Sequence, residues 1–169
     1  LNSLVDLILE KINIHKNAEK SYTKLARTPR FAGPLPYTLI REKFDDGAFT
    51  CGYSVTDKAD GERCHLFFDE VGNSFLVDRN KEFRFCGTTT TKDSIIDGEL
   101  IGDVFFGFDA LFVNGKDIRE KMLIERLKGL GEVVKKTKKI KDMTLQTKAF
   151  YYKVNGNFYR MKNGNETKH

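Results

Sequence analysis

Lys58, Asp60 and Arg63 fall within six residues, Lys58-Ala59-Asp60-Gly61-Glu62-Arg63, between two strand-like runs, Gly52 to Thr56 and Cys64 to Phe68. A short polar link of this kind presents its side chains at a strand junction, where a rigid scaffold can hold reactive groups. An amine attacks phosphorus only when neutral, so a nucleophilic lysine has to be desolvated or set beside other cations. Arg63 and Arg79 are the candidates for that positive field. Arg63 also carries a planar fork suited to ribose or phosphate oxygens, and a tight turn at Gly61 would let the backbone approach a ligand. An ordinary surface turn uses the same residue types, so these six positions do not decide the matter alone.

Two further groups bear on the same chemistry. Asp97-Gly98-Glu99 lies between Ile95-Ile96 and Leu100-Ile101, which makes it part of a buried strand. On a strand, Asp97 and Glu99 point to one face and can reach one cation or one ribose. Buried carboxylates are costly without partners, and the lysine and arginines would offset that cost. In Phe105-Phe106-Gly107-Phe108-Asp109-Ala110-Leu111, alternation places Phe106, Phe108, Ala110 and Phe112 on one face, a plane on which a purine could stack. Each phenylalanine taken singly is more often core, so the argument rests on the set.

The elements that must position these residues follow from pattern. Residues 3–12 set Leu4, Leu7, Ile8, Lys11 and Ile12 at helical spacing behind a cap at Asn2 or Ser3. Asn13 to Arg30 shows no period and is expected to be a basic connector. Phe31-Ala32-Gly33-Pro34-Leu35-Pro36 forbids regular structure and marks a boundary between residues 1–30 and a domain over 31–169. Gly52 to Val113 predicts a meander of mainly antiparallel strands, punctuated by glycine and asparagine. A helix is expected from about Ile118 to Val134, then a strand from Met143 to Val154 and a polar tail. The fold class is α+β, a mainly antiparallel sheet with flanking helices.

Composition narrows the setting. No apolar stretch approaches the roughly 18 residues that cross a bilayer. Cys51, Cys64 and Cys86 form no CxxC pair and no even framework, which points to free thiols in an intracellular, reducing compartment. A net charge of +5, with Lys135, Lys136, Lys138, Lys139 and Lys141 clustered, favours a polyanionic partner.

Taken in order, Lys58-Ala59-Asp60-Gly61-Glu62-Arg63, Val77-Asp78-Arg79, Asp97-Gly98-Glu99-Leu100 and Phe108-Asp109-Ala110-Leu111 resemble the covalent nucleotidyltransferases, which comprise capping guanylyltransferases and DNA and RNA ligases. The entry segment Phe31 to Pro36 and the Asp78-Arg79-Asn80 strand end look like the capping enzymes. The phrase Thr56 to Gly61 looks closest to those of large cytoplasmic DNA viruses, for which the setting would be host cytoplasm or virion. The resemblance implies that Lys58 takes GMP from GTP as a lysyl-GMP adduct and passes it to a diphosphate RNA 5′ end. It implies nucleotide contacts from Asp60, Arg63, Arg79, Glu99 and Phe108. It also implies a divalent ion, Mg2+ or Mn2+, held with the help of Glu99 and Asp97.

That family's later motifs, an acidic strand and a lysine pair, have no match before His169. The chain is therefore expected to carry the N-terminal part of the domain and to be inactive alone, with triphosphatase and methyltransferase domains as candidate neighbours and no membrane. Two other readings stay open. One is a ligase domain that adenylylates Lys58 from ATP; the other is a non-catalytic RNA-binding module that keeps the fold.

Overall fold

A computed structural model describes residues 3–36, 38, 40–42 and 52–168. Helix α1 (Leu4–Ala26) starts at Ser3, whose hydroxyl accepts from the Asp6 amide at 3.2 Å while the Asp6 carboxylate accepts from the Ser3 amide at 3.0 Å. This reciprocal cap satisfies two otherwise orphaned donors. The helix ends at Arg27, which adopts a left-handed φ of 55°. Asn13 to Ala26 is thus helical and not a connector. Its buried face is Ala18, Tyr22 and Ala26, spaced four apart, and only one of these is large, which is why the hydrophobic period is faint. The apolar stripe expected to drive helix formation stands off the body instead, with Leu4, Leu7 and Ile8 73%, 47% and 48% exposed.

The strands follow as β1 (Ser54–Thr56), β2 (Glu62–Phe68), β3 (Asn73–Val77), β4 (Phe83–Thr88), β5 (Ser94–Ile101), β6 (Val104–Val113) and β7 (Lys116–Asp117). After helix α2 (Leu123–Lys136) come β8 (Lys139–Ile140), β9 (Met143–Thr147), β10 (Phe150–Val154), β11 (Asn157–Lys162) and β12 (Asn165–Lys168). They form two sheets. The larger has the order β4-β3-β2-β5-β6-β9-β8, with β7 paired to β6, and the smaller has the order β1-β10-β11-β12. Pairing is antiparallel except between β6 and β9. That parallel pair needs a long crossover, and α2 lies within it. The α+β class holds.

The large sheet is covered on both faces, which explains the unbroken burial of Cys64 to Phe68 in β2. One face presents Leu66, Phe68, Ile96 and Phe105 to α2 and to the inner side of the small sheet, through Phe150, Tyr152 and Met161. The other presents Phe67, Phe75, Val77 and Ile95 to the second half of α1. The expected polar tail is two further strands. Asn155-Gly156 and Asn163-Gly164 both place two successive residues at positive φ, the conformation that closes two-residue hairpins. No helix of the described residues is long and apolar enough to cross a membrane.

The docking of α1 makes a direct prediction. Ala18→Leu forces three extra carbons into a closed helix–sheet contact and costs about 1–3 kcal/mol, whereas Leu7→Lys stays within about 0.5 kcal/mol. Urea unfolding of both variants measures the difference, and equal losses would mean that the first half of α1 is docked as well.

Candidate functional site

Arg63 sits at the centre of the site. It leaves the end of β2 on the face that α1 covers, and antiparallel register sets it opposite Glu99, with His65 opposite Asp97. Its Nε donates to Asp97 Oδ1 at 3.1 Å and its Nη2 to Asp97 Oδ2 at 2.6 Å, a bidentate pair between a nearly covered guanidinium and a fully buried carboxylate. Nη2 also donates to the Pro34 carbonyl at 2.8 Å. The fork expected to meet ribose or phosphate is therefore largely committed, and the two Nη1 N–H groups lie outside these bonds.

The entry segment straps this pair down. The Phe31 ring stacks on His65 with centroids 3.6 Å apart, and the Arg63 guanidinium lies 5.6 Å from the Phe31 ring centre. A Cβ on Gly33 would come within 2.6 Å of Asp97 Oδ2 and 2.8 Å of Arg63 Nη2, so only glycine lets the backbone pass this close. The Ala32 amide donates to the Tyr22 hydroxyl at 3.1 Å, and that hydroxyl pairs with His65 Nδ1 at 2.8 Å. Which atom donates in the Tyr22–His65 bond follows from the imidazole tautomer, since the hydroxyl can give its proton to Nδ1 or accept one from it. Nε2 is 3.8 Å from Asp97 Oδ2 and makes no hydrogen bond among the described residues.

Protonation follows the burial. Desolvation holds His65 below its ordinary value, so the ring is neutral at neutral pH. Burial pushes the Asp97 carboxyl up, but its neighbours His65 and Arg63 outweigh this and bring it below the usual range. Of the two, Arg63 is the one within hydrogen-bond distance. Tyr22 is pushed up to about 12 by burial. Burial likewise pushes the Cys64 thiol up to about 12, so it is an inert core group. Cys86 is also a free thiol, and Cys51 lies outside the described residues.

The remaining expected residues divide sharply. Glu99 is paired with Lys148, whose Nζ donates to Oε2 at 3.2 Å. Phe108 is half-buried, with Arg63 Cζ 5.7 Å and Lys148 Nζ 5.3 Å from its ring centre. The shared plane of Phe106, Phe108, Ala110 and Phe112 does not exist. Irregularities at Ile95/Ile96 and Asp97/Gly98 make the register skip Leu111 and Phe108, which puts Ala110 in one core and Phe112 in the other. Such bulges re-aim side chains, and Phe108 is the one re-aimed here. Asp109 binds Arg126 of α2 at 2.8 Å and is structural.

Lys58 and Asp60 are exposed in the loop between β1 and β2, the point where the chain passes from the small sheet to the large one. The desolvation expected for a nucleophilic amine is not supplied by the described residues. A Cβ on Gly61 would meet Ile101 at 2.7 Å and the Leu100 carbonyl at 2.8 Å, so the protein itself leaves no room for a side chain there. Arg79 is exposed in the turn after β3 and makes no hydrogen bond or ion pair to the Arg63 group. Asp97 and Glu99 share a face, as expected, and each is paired with a cation of the protein, Asp97 with Arg63 and Glu99 with Lys148. No group of three or more metal-binding side chains occurs among the described residues.

The residues missed by sequence reasoning are Lys148, His65 and Tyr22. A lone lysine after a short strand carries no signal, since only the parallel β6–β9 pairing brings it to Glu99. A cavity of about 280 Å³ beside Lys58 is lined by Asp57, Ala59, Phe106, Lys148, Arg160 and Lys162, among others. The larger one, about 490 Å³, lies between α2 and the β6–β7 turn and contains none of the candidate residues.

A sequence model of one protein family, described as mRNA capping enzyme, catalytic domain, matches residues 8–166. The chain belongs to that family. The capping-enzyme match begins inside α1, in keeping with the docking of that helix on the sheet. The chain is also similar to the mRNA-capping enzyme subunit alpha of Yarrowia lipolytica, 28% identical over 96 residues that cover 46% of this chain and 25% of that protein. It thus spans about a quarter of the length of the curated relative it matches.

Two outcomes are expected of the Arg63–Asp97–His65 cluster. On acidification through about 6.5 the unfolded chain binds a proton at residue 65 that the folded chain refuses, so stability falls by up to about 1.4 kcal/mol per pH unit. Asp97, held low, keeps its contribution until much lower pH. Chemical denaturation between pH 7.5 and 5.5 should show this slope and lose most of it in His65→Gln; an unchanged slope would place the titration elsewhere. Gly33→Ala should cost about 1–3 kcal/mol by prying Phe31 and Pro34 off the ion pair, seen as a lower thermal midpoint.

Proposed function

We propose that the domain is an mRNA guanylyltransferase that carries GMP on Lys58. The neutral Lys58 amine attacks the α-phosphorus of GTP. The new N–P bond replaces the bond to the bridging oxygen, pyrophosphate leaves with that electron pair, and the amine proton passes to solvent. A β-phosphate oxygen of a diphosphate RNA 5′ end then attacks the same phosphorus, and Lys58 leaves and regains a proton. Both steps are in-line displacements in which positioning supplies much of the rate.

The observation that carries this reading is the trio of Lys148, Phe108 and Glu99. Phe108 offers a ring face bounded by two cations, on which a purine can stack. Lys148 has donors only. Guanine presents two acceptors, O6 and N7, along the edge that a lysine reaches, whereas adenine puts a donor amino group in place of O6. An ammonium at this point therefore favours guanine over adenine, which supports the capping reading over a ligase. Glu99, beside it, is an acceptor for ribose hydroxyls, and Arg63 Nη1 is the donor left for ribose or phosphate oxygens.

The complete polypeptide containing this segment, incubated with Mg2+ and either GTP or ATP, tests the proposal by intact mass and peptide mapping. A GMP-sized adduct on Lys58 that is lost in Lys58→Ala is the expected result. Lys148→Met should reduce the preference for GTP over ATP by roughly ten- to a hundredfold, the worth of one base-edge contact. An AMP adduct would make the domain a ligase, and no adduct from either nucleotide would leave an RNA-binding module.

A further inference from the structure

The small sheet has one face in the core and one face outward. Phe150, Tyr152 and Met161 point inward, with Tyr159 packed against them, so alternation sends Val55, Tyr151, Lys153, Phe158, Arg160, Lys162 and Thr167 outward. Register builds these into rows. Val55, Tyr151, Arg160 and Thr167 are successive cross-strand partners, and Lys153 is opposite Phe158. The Lys153 ammonium lies 5.3 Å from the Phe158 ring centre, and Phe158 is 57% exposed. The only acid among the described residues of these four strands is Glu166, and it is bonded to the inward Tyr152 hydroxyl. The outward face therefore alternates aromatic rings with cations and carries no carboxylate.

This face leads to the reacting centre. The cavity of about 280 Å³ beside Lys58 is floored by Tyr151, Arg160 and Lys162 of the outward face and reaches Asp57 and Ala59 on either side of Lys58. A strand of nucleotides whose first phosphates occupy that cavity would continue over Tyr151 and Phe158.

We infer that the outward face of the β1-β10-β11-β12 sheet is the track for the single-stranded 5′ segment of the acceptor RNA, with Arg160 and Lys162 on its first phosphates and Tyr151 and Phe158 stacking under the bases that follow. The inference rests on the reading of Lys58 as the residue that hands GMP to RNA. Rings tolerate any base and cations track the backbone, so recognition is of single-strandedness and charge, not of sequence. Duplex RNA offers no base faces to such a surface and binds it poorly.

The test uses the complete polypeptide bearing Lys58→Ala, so that binding is measured without chemistry, and a 5′-diphosphate RNA carrying photoreactive uridines near its 5′ end. Cross-links should map to the peptides holding Tyr151 and Phe158. Arg160→Gln with Lys162→Gln should weaken binding and reduce the slope of log affinity against log salt by about 1.4, at about 0.7 for each lost single-strand phosphate contact. Phe158→Ala, at an exposed position, should weaken binding about tenfold, the size of a lost base stack. The charge-matched control Lys139→Gln with Lys141→Gln should change affinity less than twofold. Cross-links confined to residues 135–141, or an unchanged salt slope in the Arg160/Lys162 variant, would overturn the track, as would a face shielded by another part of the polypeptide or by an acidic protein partner. Absence of a nucleotide adduct in the wild type, with cross-links still on Tyr151 and Phe158, would refute the Lys58 reading and leave the track standing.

Discussion

Asp97 has no water to solvate it, and a carboxylate in that position either takes a proton or finds a counter-ion. It finds Arg63 through two parallel hydrogen bonds, and much of the surrounding architecture serves to keep that arrangement dry and fixed. The Phe31-to-Pro34 strap closes it from one side, His65 floors it, and Tyr22 ties both to α1. Such a pair adds little net stability over a hydrophobic core, because desolvation consumes most of the Coulombic gain. Its value is geometric: a guanidinium held by its Nε and Nη2 presents Nη1 in one direction only. The same logic extends one strand over, where Glu99 and Lys148 neutralise each other beside Phe108. Two neutralised pairs flanking a ring hold their polar groups in fixed orientations, which lowers the ordering cost of binding the nucleotide proposed for this place.

How much of this was legible from sequence depended on whether the signal was local. The Lys58-to-Arg63 junction, the buried Asp97-Gly98-Glu99 strand and the mainly antiparallel meander all follow from short-range patterns and stand as expected. The second half of α1 was not legible because Ala18 and Ala26 bury little area and give a weak period, although they pack as tightly as larger residues. The face assignment of β6 failed because two register irregularities shift the alternation, and no residue type in Phe105 to Phe112 announces a bulge. The hairpins after Val154 were hidden by polar outward residues, yet their Asn-Gly turns were in plain view. Lys148 lay beyond any local reading, since its partners Glu99 and Phe108 are brought to it by a crossover through α2. The two carboxylates expected to share a metal each hold a cation of the protein instead, Asp97 with Arg63 and Glu99 with Lys148, and no local pattern announces the second of these partners.

The two sheets also divide the labour of the domain. The large one, covered on both faces, has the continuous hydrophobic strands of a core and carries the groups proposed to read and hold a nucleotide. The small one has a single buried face and leaves its other side to polar and aromatic residues. Keeping the fixed groups on the doubly covered sheet is physically sensible, because side chains locked by packing on both sides hold their rotamers best.

The polypeptide passes between the sheets at two described places, residues 57–61 and 148–149, and these hold Lys58 and Lys148. The Thr56 hydroxyl ties the first passage to the second by donating to the Ala149 carbonyl at 2.7 Å, and the Lys148 amide ties the second to β6 by donating to the Gly107 carbonyl at 2.8 Å. The seam between the sheets therefore carries Lys58 and Lys148 on adjoining passages of backbone. On the proposed reading, the nucleophile and the ammonium beside the base are thus set by one backbone seam and not by two separate loops.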